Sequence, residues 1–203
     1  MKLAIIGATG FIGQYIFNEA VTRKHQVLAL VRNPEKILIT EGVKAKELDV
    51  QNPIELTAAL AGQDAAVISV HYENQDITSI INAVKKSKVK HVLFVGGAAS
   101  LEVAPGVQLL DTPEFPEQWK ATATAAKKLL LTLKGEKELN WTYVSPSAFI
   151  EPGERTGKFR LGSDHLLINE NGESRISTQD FAIAVLDELE NPRHAQQRFT
   201  VGY

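Results

Sequence analysis

The sequence predicts an α/β fold, a doubly wound parallel sheet flanked by helices, with a small, less regular region toward the C-terminus. Three observations carry this. Short apolar runs recur at Leu3–Ile6, Gln26–Val31, Asp64–Val70, His91–Val95 and Leu139–Val144, with the near-continuous hydrophobicity of strands buried on both faces. Between them lie segments with helical spacing of apolar residues, so strands and helices alternate as in crossover units. The first run also ends in three glycines spaced by three, Gly7, Gly10 and Gly13.

That first stretch reads K-L-A-I-I-G-A-T-G-F-I-G from Lys2 to Gly13. A helix follows, since Ile12, Ile16 and Ala20 recur four apart, with Phe17 and Val21 one position on. Strand, glycine turn and helix N-terminus together suit a pyrophosphate: small residues let the backbone approach it, and free N–H groups and the helix dipole face its charge. The predicted contacts are Gly7, Thr9, Gly10, Phe11, Ile12 and Gly13. The plainer alternative is a glycine turn that only packs a helix closely on a sheet.

The stretch I-I-G-A-T-G-F-I-G resembles the opening of the extended and atypical short-chain dehydrogenase/reductases. The resemblance implies a Rossmann fold that binds NAD(P) and extends over the whole chain. V-R-N-P-E-K, V-S-P-S-A-F-I-E-P-G-E-R-T-G-K-F-R and the terminal F-T-V-G-Y resemble more narrowly a bacterial NADH–flavin reductase group, related to biliverdin reductase B and to NmrA-like regulatory proteins.

With 203 residues, 44% hydrophobic and 23% charged, the composition is that of one ordinary domain, expected over 1–203. A net charge of -2 offers no basic field for nucleic acid, and no apolar run has the length of a membrane span. A strand beginning at residue 2 leaves no room for a signal peptide, and the absence of cysteine excludes disulfides and thiol chemistry. A cytoplasmic location, a small-molecule acceptor and no metal are the corresponding expectations.

In this fold the residue that ends the second strand meets the adenosine ribose. Arg32 stands there, 19 residues after Gly13, and an arginine accommodates the 2′-phosphate of NADP, so NADP(H) is favoured over NAD(H). Lys36 or Arg23 could serve instead, and a solvated surface arginine is the bland reading. Asn33-Pro34-Glu35 has the cap, proline and acid of a helix start, as does Asn52-Pro53 before a helix at Ile54–Ala61. A third strand spans about Val43–Leu48. By resemblance, Asp49 and Val50 border the adenine.

Ligands in such sheets bind outside the carboxyl ends of the strands, which places Ser69, Val70 and His71 along the cofactor. Without a carboxylate at supporting spacing, His71 reads first as a packing or hydrogen-bonding residue and second as an acid or base. Gly96 and Gly97 leave open space for the nicotinamide, and Ser145, Pro146 and Ser147 match the place where the resembled family lays backbone and small side chains against it. Residues 99–118 and 147–178 are expected to form the substrate side, the first as a long loop and the second with a hairpin between Leu166–Ile168 and Arg175–Ile176 turned by Asn171-Gly172. Ser177 caps the last helix before a closing strand at Arg198–Val201.

The helix Trp119–Leu133 should carry the family's Y-x-x-x-K pair. Lys127 matches the lysine, but Ala123 stands where the tyrosine belongs, and Ser100 lies slightly late for the catalytic serine. Ser100, Lys127 and His71 are therefore candidates only. The resemblance implies hydride transfer from NAD(P)H to a flavin, FMN or FAD, or to a similar planar acceptor, for which the proton can come from solvent. A non-enzymatic NADP(H)-binding redox sensor and a sugar epimerase or dehydratase are the alternatives.

Overall fold

A computed structural model describes residues 1–203. The strands and helices in chain order are β1 (Lys2–Ile6), α1 (Gly13–Thr22), β2 (Gln26–Val31), β3 (Val43–Glu47), α2 (Pro53–Leu60), β4 (Ala65–Ile68), α3 (Ile77–Ser87), β5 (His91–Val95), β6 (Glu102–Ala104), β7 (Val107–Gln108), α4 (Lys120–Gly135), β8 (Trp141–Ser145), β9 (Phe149–Glu151), β10 (Arg160–Gly162), β11 (Arg175–Ser177), α5 (Thr178–Glu190) and β12 (Gln197–Gly202). The central eight-stranded sheet has the order β10-β12-β8-β5-β4-β1-β2-β3, parallel except where β10 pairs with β12. Strand order reverses between β1 and β4. That switch point opens a crevice at the carboxyl edge of the sheet, as a doubly wound Rossmann-like fold requires.

Alternation along each strand sends side chains to two cores. Ala4, Ile6, Ile68, Phe94 and Tyr143 meet α2, α3 and α4, while Leu3, Ile5, Val67, Val95 and Val144 meet α1 and α5. Helix starts follow local chemistry: Asn52, Asp76 and Ser177 accept from the backbone N–H three residues on, at 3.2, 3.0 and 3.0 Å. The edge strand β3 alternates Val43, buried, with exposed Lys44 and Lys46, which discourages pairing with another chain.

Two local expectations are corrected. The Asn33-Pro34-Glu35 signal produces a single 3₁₀ turn at Pro34–Lys36, with no bond from the Asn33 side chain. Ile37 is drawn into the core on the α1 face instead, and the chain runs on without helix to β3. β-Branched Ile37, Ile39 and Thr40 disfavour a helix there. Farther on, the Asn171-Gly172 turn forms, with Gly172 at φ +79° and its N–H donating to Asn169 O at 3.0 Å. No hairpin follows from it. β11 pairs in parallel with β9, aligning Ile176 with Ile150, and residues 166–168 form no strand. The reason is burial: Ile176 enters the α1–α5 core, with Ile150 packed against it. Within residues 99–118 the chain also forms the small β6–β7 hairpin.

At the amino ends of the strands, buried His91 places Nε2 2.9 Å from Thr142 Oγ1, and its Nδ1 has no partner. Burial pushes its pKa below the usual 6.5. The unfolded chain therefore takes up a proton before the folded one does, and stability present above about pH 6.5 is lost as pH falls through the folded value. Urea midpoints measured at about pH 7.5 and about pH 5.5 should drop less in His91→Asn than in the unaltered protein; equal drops would exclude His91 as the titrating group.

Candidate functional site: the crevice at the strand ends

The crevice is built on the glycine turn between β1 and α1. Gly7 has φ +83°, and a Cβ there would lie 2.0 Å from Ser69 O at the end of β4. A Cβ on Gly13 would lie 2.0 Å from Gly7 O, so the first turn of α1 sits directly on the turn that precedes it. Gly10 closes the loop by donating its N–H to Gly7 O at 2.9 Å. The N–H groups of Thr9, Phe11, Ile12 and Gly13 donate to nothing in the protein. Unlike α2, α3 and α5, α1 has no side-chain cap, and its first turn holds no acid. Free donors and an uncompensated positive dipole end are the features by which a helix N-terminus attracts an anion.

On the β2–β3 side, Arg32 is exposed just past β2 and makes no ion pair or side-chain hydrogen bond. Arg23, one alternative to it, is committed elsewhere: at the other end of α1 it bonds Glu19 at 2.9 Å, Asp187 at 2.8 Å and Glu190 at 2.7 Å. Lys36 remains exposed. Asp49 Oδ1 accepts from Gln51 N at 2.9 Å and shapes its own turn, while Val50 is buried behind it. Ser69 and Val70 form the wall beside Gly7, and His71 is exposed without a side-chain partner.

The β5–β8 side is the far end of the crevice. Gly96 N donates to Val144 O at 2.8 Å, and a Cβ on Gly96 would fall 1.9 Å from Tyr143 Cζ, so the phenol fills the space beneath this glycine. Tyr143 Oη donates to Ala126 O on α4 at 3.1 Å and accepts from Gly97 N at 3.4 Å. Burial pushes its pKa up to about 12, which keeps it a neutral donor. A Cβ on Gly97 would meet nothing within 4 Å, so the space beside it is open. Tyr143 was not foreseen from sequence. It reads there as one more apolar strand residue, and only its cross-strand contact with Gly96 marks it.

The serines in this region divide by hydrogen bonding. Ser147 is 1% exposed and its hydroxyl donates to Val201 O at 3.0 Å, turning it toward β12. Ser100 is 4% exposed and accepts from Arg198 Nη1 at 2.9 Å. Arg198 also bonds Asp164, tying the loop after β5 to the segment after β10, so Ser100 serves a structural clamp. Ser145 is fully buried and its hydroxyl has no partner, while its carbonyl accepts from Thr200 Oγ1 at 2.9 Å. Pro146 is buried next to it. On α4, Lys127 is half-buried without a partner and Ala123 is buried, so no tyrosine stands four residues before the lysine.

The E-P-G-E-R-T-G segment has a structural explanation. Arg155 grips Glu19 of α1 with two bonds, at 3.0 and 2.8 Å, and this pairing holds the Glu19 carboxyl below the usual carboxylate range. Thr156 and Gly157 donate to Asp180 of α5, as does Tyr203 Oη at 2.9 Å. The strap after β9 is thereby fixed across both helices of that layer.

Residues 7–192 match the family described as NAD(P)H-binding. YwnB, an uncharacterized Bacillus subtilis protein, is 41% identical, with 99% of this chain and 98% of YwnB aligned. A Bacteroides thetaiotaomicron structure provisionally described as an epimerase superposes with a TM-score of 0.95 at 42% identity, covering 100% of this chain and 96% of that one. A Streptococcus pneumoniae structure provisionally described as an NADH-flavin reductase gives a TM-score of 0.83 at 35% identity, covering 100% and 99%. The glycine turn, the uncapped helix above it and a match over nearly the whole length agree: this chain belongs to the NAD(P)H-binding family.

Proposed function

We propose that the protein is an NAD(P)H-dependent oxidoreductase that prefers NADP(H) and passes hydride to a flavin or similarly planar acceptor. The observation that carries this is the pairing of free N–H donors at the start of α1 with a far end that is open beside Gly97 and has Ala123 on α4 where the resembled family has its proton-donating tyrosine. The residues present fit a dinucleotide: Gly7 and Gly13 keep clear a cradle that any Cβ would disrupt, and the free N–H groups of Thr9, Phe11, Ile12 and Gly13 are available to a pyrophosphate. When bound, a reduced nicotinamide supplies the hydride, chemistry that belongs to the cofactor.

The chain's own contribution is position. Arg32 offers an unpaired guanidinium to a 2′-phosphate, Asp49 and Val50 border the adenine, and Ser69 and Val70 line the middle of the crevice. Tyr143 sets the height of the Gly96-Gly97 turn by filling the space under Gly96 and bonding Gly97 N. An acceptor whose reduced form takes its proton from water needs no acid here, which suits a flavin better than a sugar carbinol. The name given to the Streptococcus relative points the same way. The Bacteroides relative's description as an epimerase finds no support at Ala123, because a methyl group transfers no proton.

Two outcomes are expected. Arg32→Asp should weaken NADPH at least tenfold, since a charge-assisted bond contributes about 1.5–3 kcal/mol, and leave NADH little changed; equal losses by calorimetry would remove Arg32 from cofactor choice. NADPH should be consumed when FMN or FAD is added. In that assay His71→Ala and Lys127→Ala should each lower turnover by far less than the roughly 10²–10⁴-fold that loss of a general acid brings. Tight NADPH binding without oxidation by any flavin, quinone or tetrapyrrole would instead mark a redox sensor.

A further inference from the structure

Arg198 of β12 carries a guanidinium with only 5% of its side chain exposed, and all its bonds run to the segments that follow β5 and β10. Nη1 donates to Ser100 O at 3.1 Å and to Ser100 Oγ at 2.9 Å. Nε donates to Asp164 Oδ1 at 2.9 Å, and Nη2 donates to the same oxygen. The two segments also meet each other: Glu102 N donates to Asp164 O at 2.8 Å, and Leu166 N to Glu102 O at 2.9 Å. Leu109 N and Leu110 N donate to Leu101 O and Ala99 O, so the β6–β7 hairpin hangs from the residues beside Ser100. Arg198 pairs in register with Tyr143 on β8, and both side chains therefore leave the same face of the sheet. Tyr143 holds the start of the turn after β5 through Gly97 N, and Arg198 holds its end at Ser100. The space beside Gly97 opens from the turn held between them.

A buried ion pair is a poor way to hold two segments together, because desolvation consumes most of the attraction. It is a good way to fix how they lie, since a planar guanidinium accepts its partners in one arrangement. We propose that Arg198 is a positioning residue for the hydride acceptor: through Ser100 and Asp164 it sets the residues after Gly97 and the β6–β7 hairpin as one wall of the acceptor's space. None of its bonds reaches the glycine turn or Arg32, so the clamp acts on the acceptor side and leaves the cofactor cradle alone. This rests on the reading of the crevice as passing hydride to a planar acceptor, and it adds the residue that shapes the acceptor's side.

Arg198→Met should remain folded, since an apolar side chain replaces the pair with little loss and half-exposed Asp164 returns to water. Hydrogen exchange should quicken at the N–H groups of Glu102, Leu109 and Leu110 and stay unchanged in α1. Rates taken per bound NADPH should show KM for FMN raised about tenfold, with NADPH affinity by calorimetry within about twofold of the unaltered protein. Lost folding alone would lower the number of active sites and leave that KM where it was. Asp164→Ala, a change at the solvent end of the clamp, should raise KM as well, and Asp164→Asn, which keeps an oxygen for the guanidinium, by much less. Should Arg198→Met fail to fold, Asp164→Ala decides alone. An unchanged KM in these variants, or NADPH weakened as much as FMN, would overturn the assignment and leave hydride transfer to flavin standing. Failure of the unaltered protein to oxidise NADPH with FMN would overturn the proposed acceptor and the assignment with it.

Discussion

The structure depends on how closely α1 begins against the ends of β1 and β4. Gly7 and Gly13 permit an approach at which any Cβ would overlap a backbone oxygen, and the turn leaves the N–H groups of Thr9, Phe11, Ile12 and Gly13 without acceptors. A helix start of this kind is unfavourable in isolation, since its N–H groups lack the side-chain caps that open α2, α3 and α5. It persists because α1 is held elsewhere: Ile16 and Ala20 are buried against the sheet, and the lower half of the helix is locked to α5 by charge. The crevice is therefore open by construction, and its electrostatics come from backbone groups more than from side-chain charge.

The charges that secure α1 also organise the C-terminal region. Glu19 is a buried carboxylate, and its two cations come from opposite directions: Arg23 from its own helix and Arg155 from the strap after β9. Arg23 in turn reaches Asp187 and Glu190 on α5. A buried carboxylate that lost these partners would be left strongly destabilising, so the strap and both helices hold together as a unit. Asp180 does the same at the head of α5, collecting Thr156, Gly157 and Tyr203. One result is that the strap after β9 is anchored to both α1 and α5.

Polar groups are used differently at the two ends of the sheet. At the amino end, Glu188 accepts from the N–H groups of Arg193 and His194 at 3.1 and 2.8 Å and meets His194 Nδ1 at 2.7 Å, so its charge is consumed by the fold. At the carboxyl end, the N–H groups of the glycine turn, the guanidinium of Arg32 and the hydroxyl of Ser145 have no partner, whereas at the amino end His91 Nδ1 is unpartnered. The N–H groups left free beside the strand-order reversal are available to a ligand.

By itself the sequence determined the elements whose signals are local: the buried strands, whose apolar runs outlast any turn residue, the helices opened by Asn52 and Ser177, and the strand, glycine turn and helix that begin the chain. The same local signals misled at Asn33-Pro34-Glu35 and at Asn171-Gly172. In both places a long-range apolar contact, Ile37 into the α1 face and Ile176 beside Ile150, outweighed a cap or turn preference of smaller size. Only the tertiary structure decided which of several similar residues are free. Arg23 and Arg32, or Ser100, Ser145 and Ser147, are alike in type and all plausible by position, yet residues more than twenty positions away leave Arg32 and Ser145 unpaired and occupy the others. Whether a polar group is available depends on partners brought by the fold, and no spacing along the chain records them.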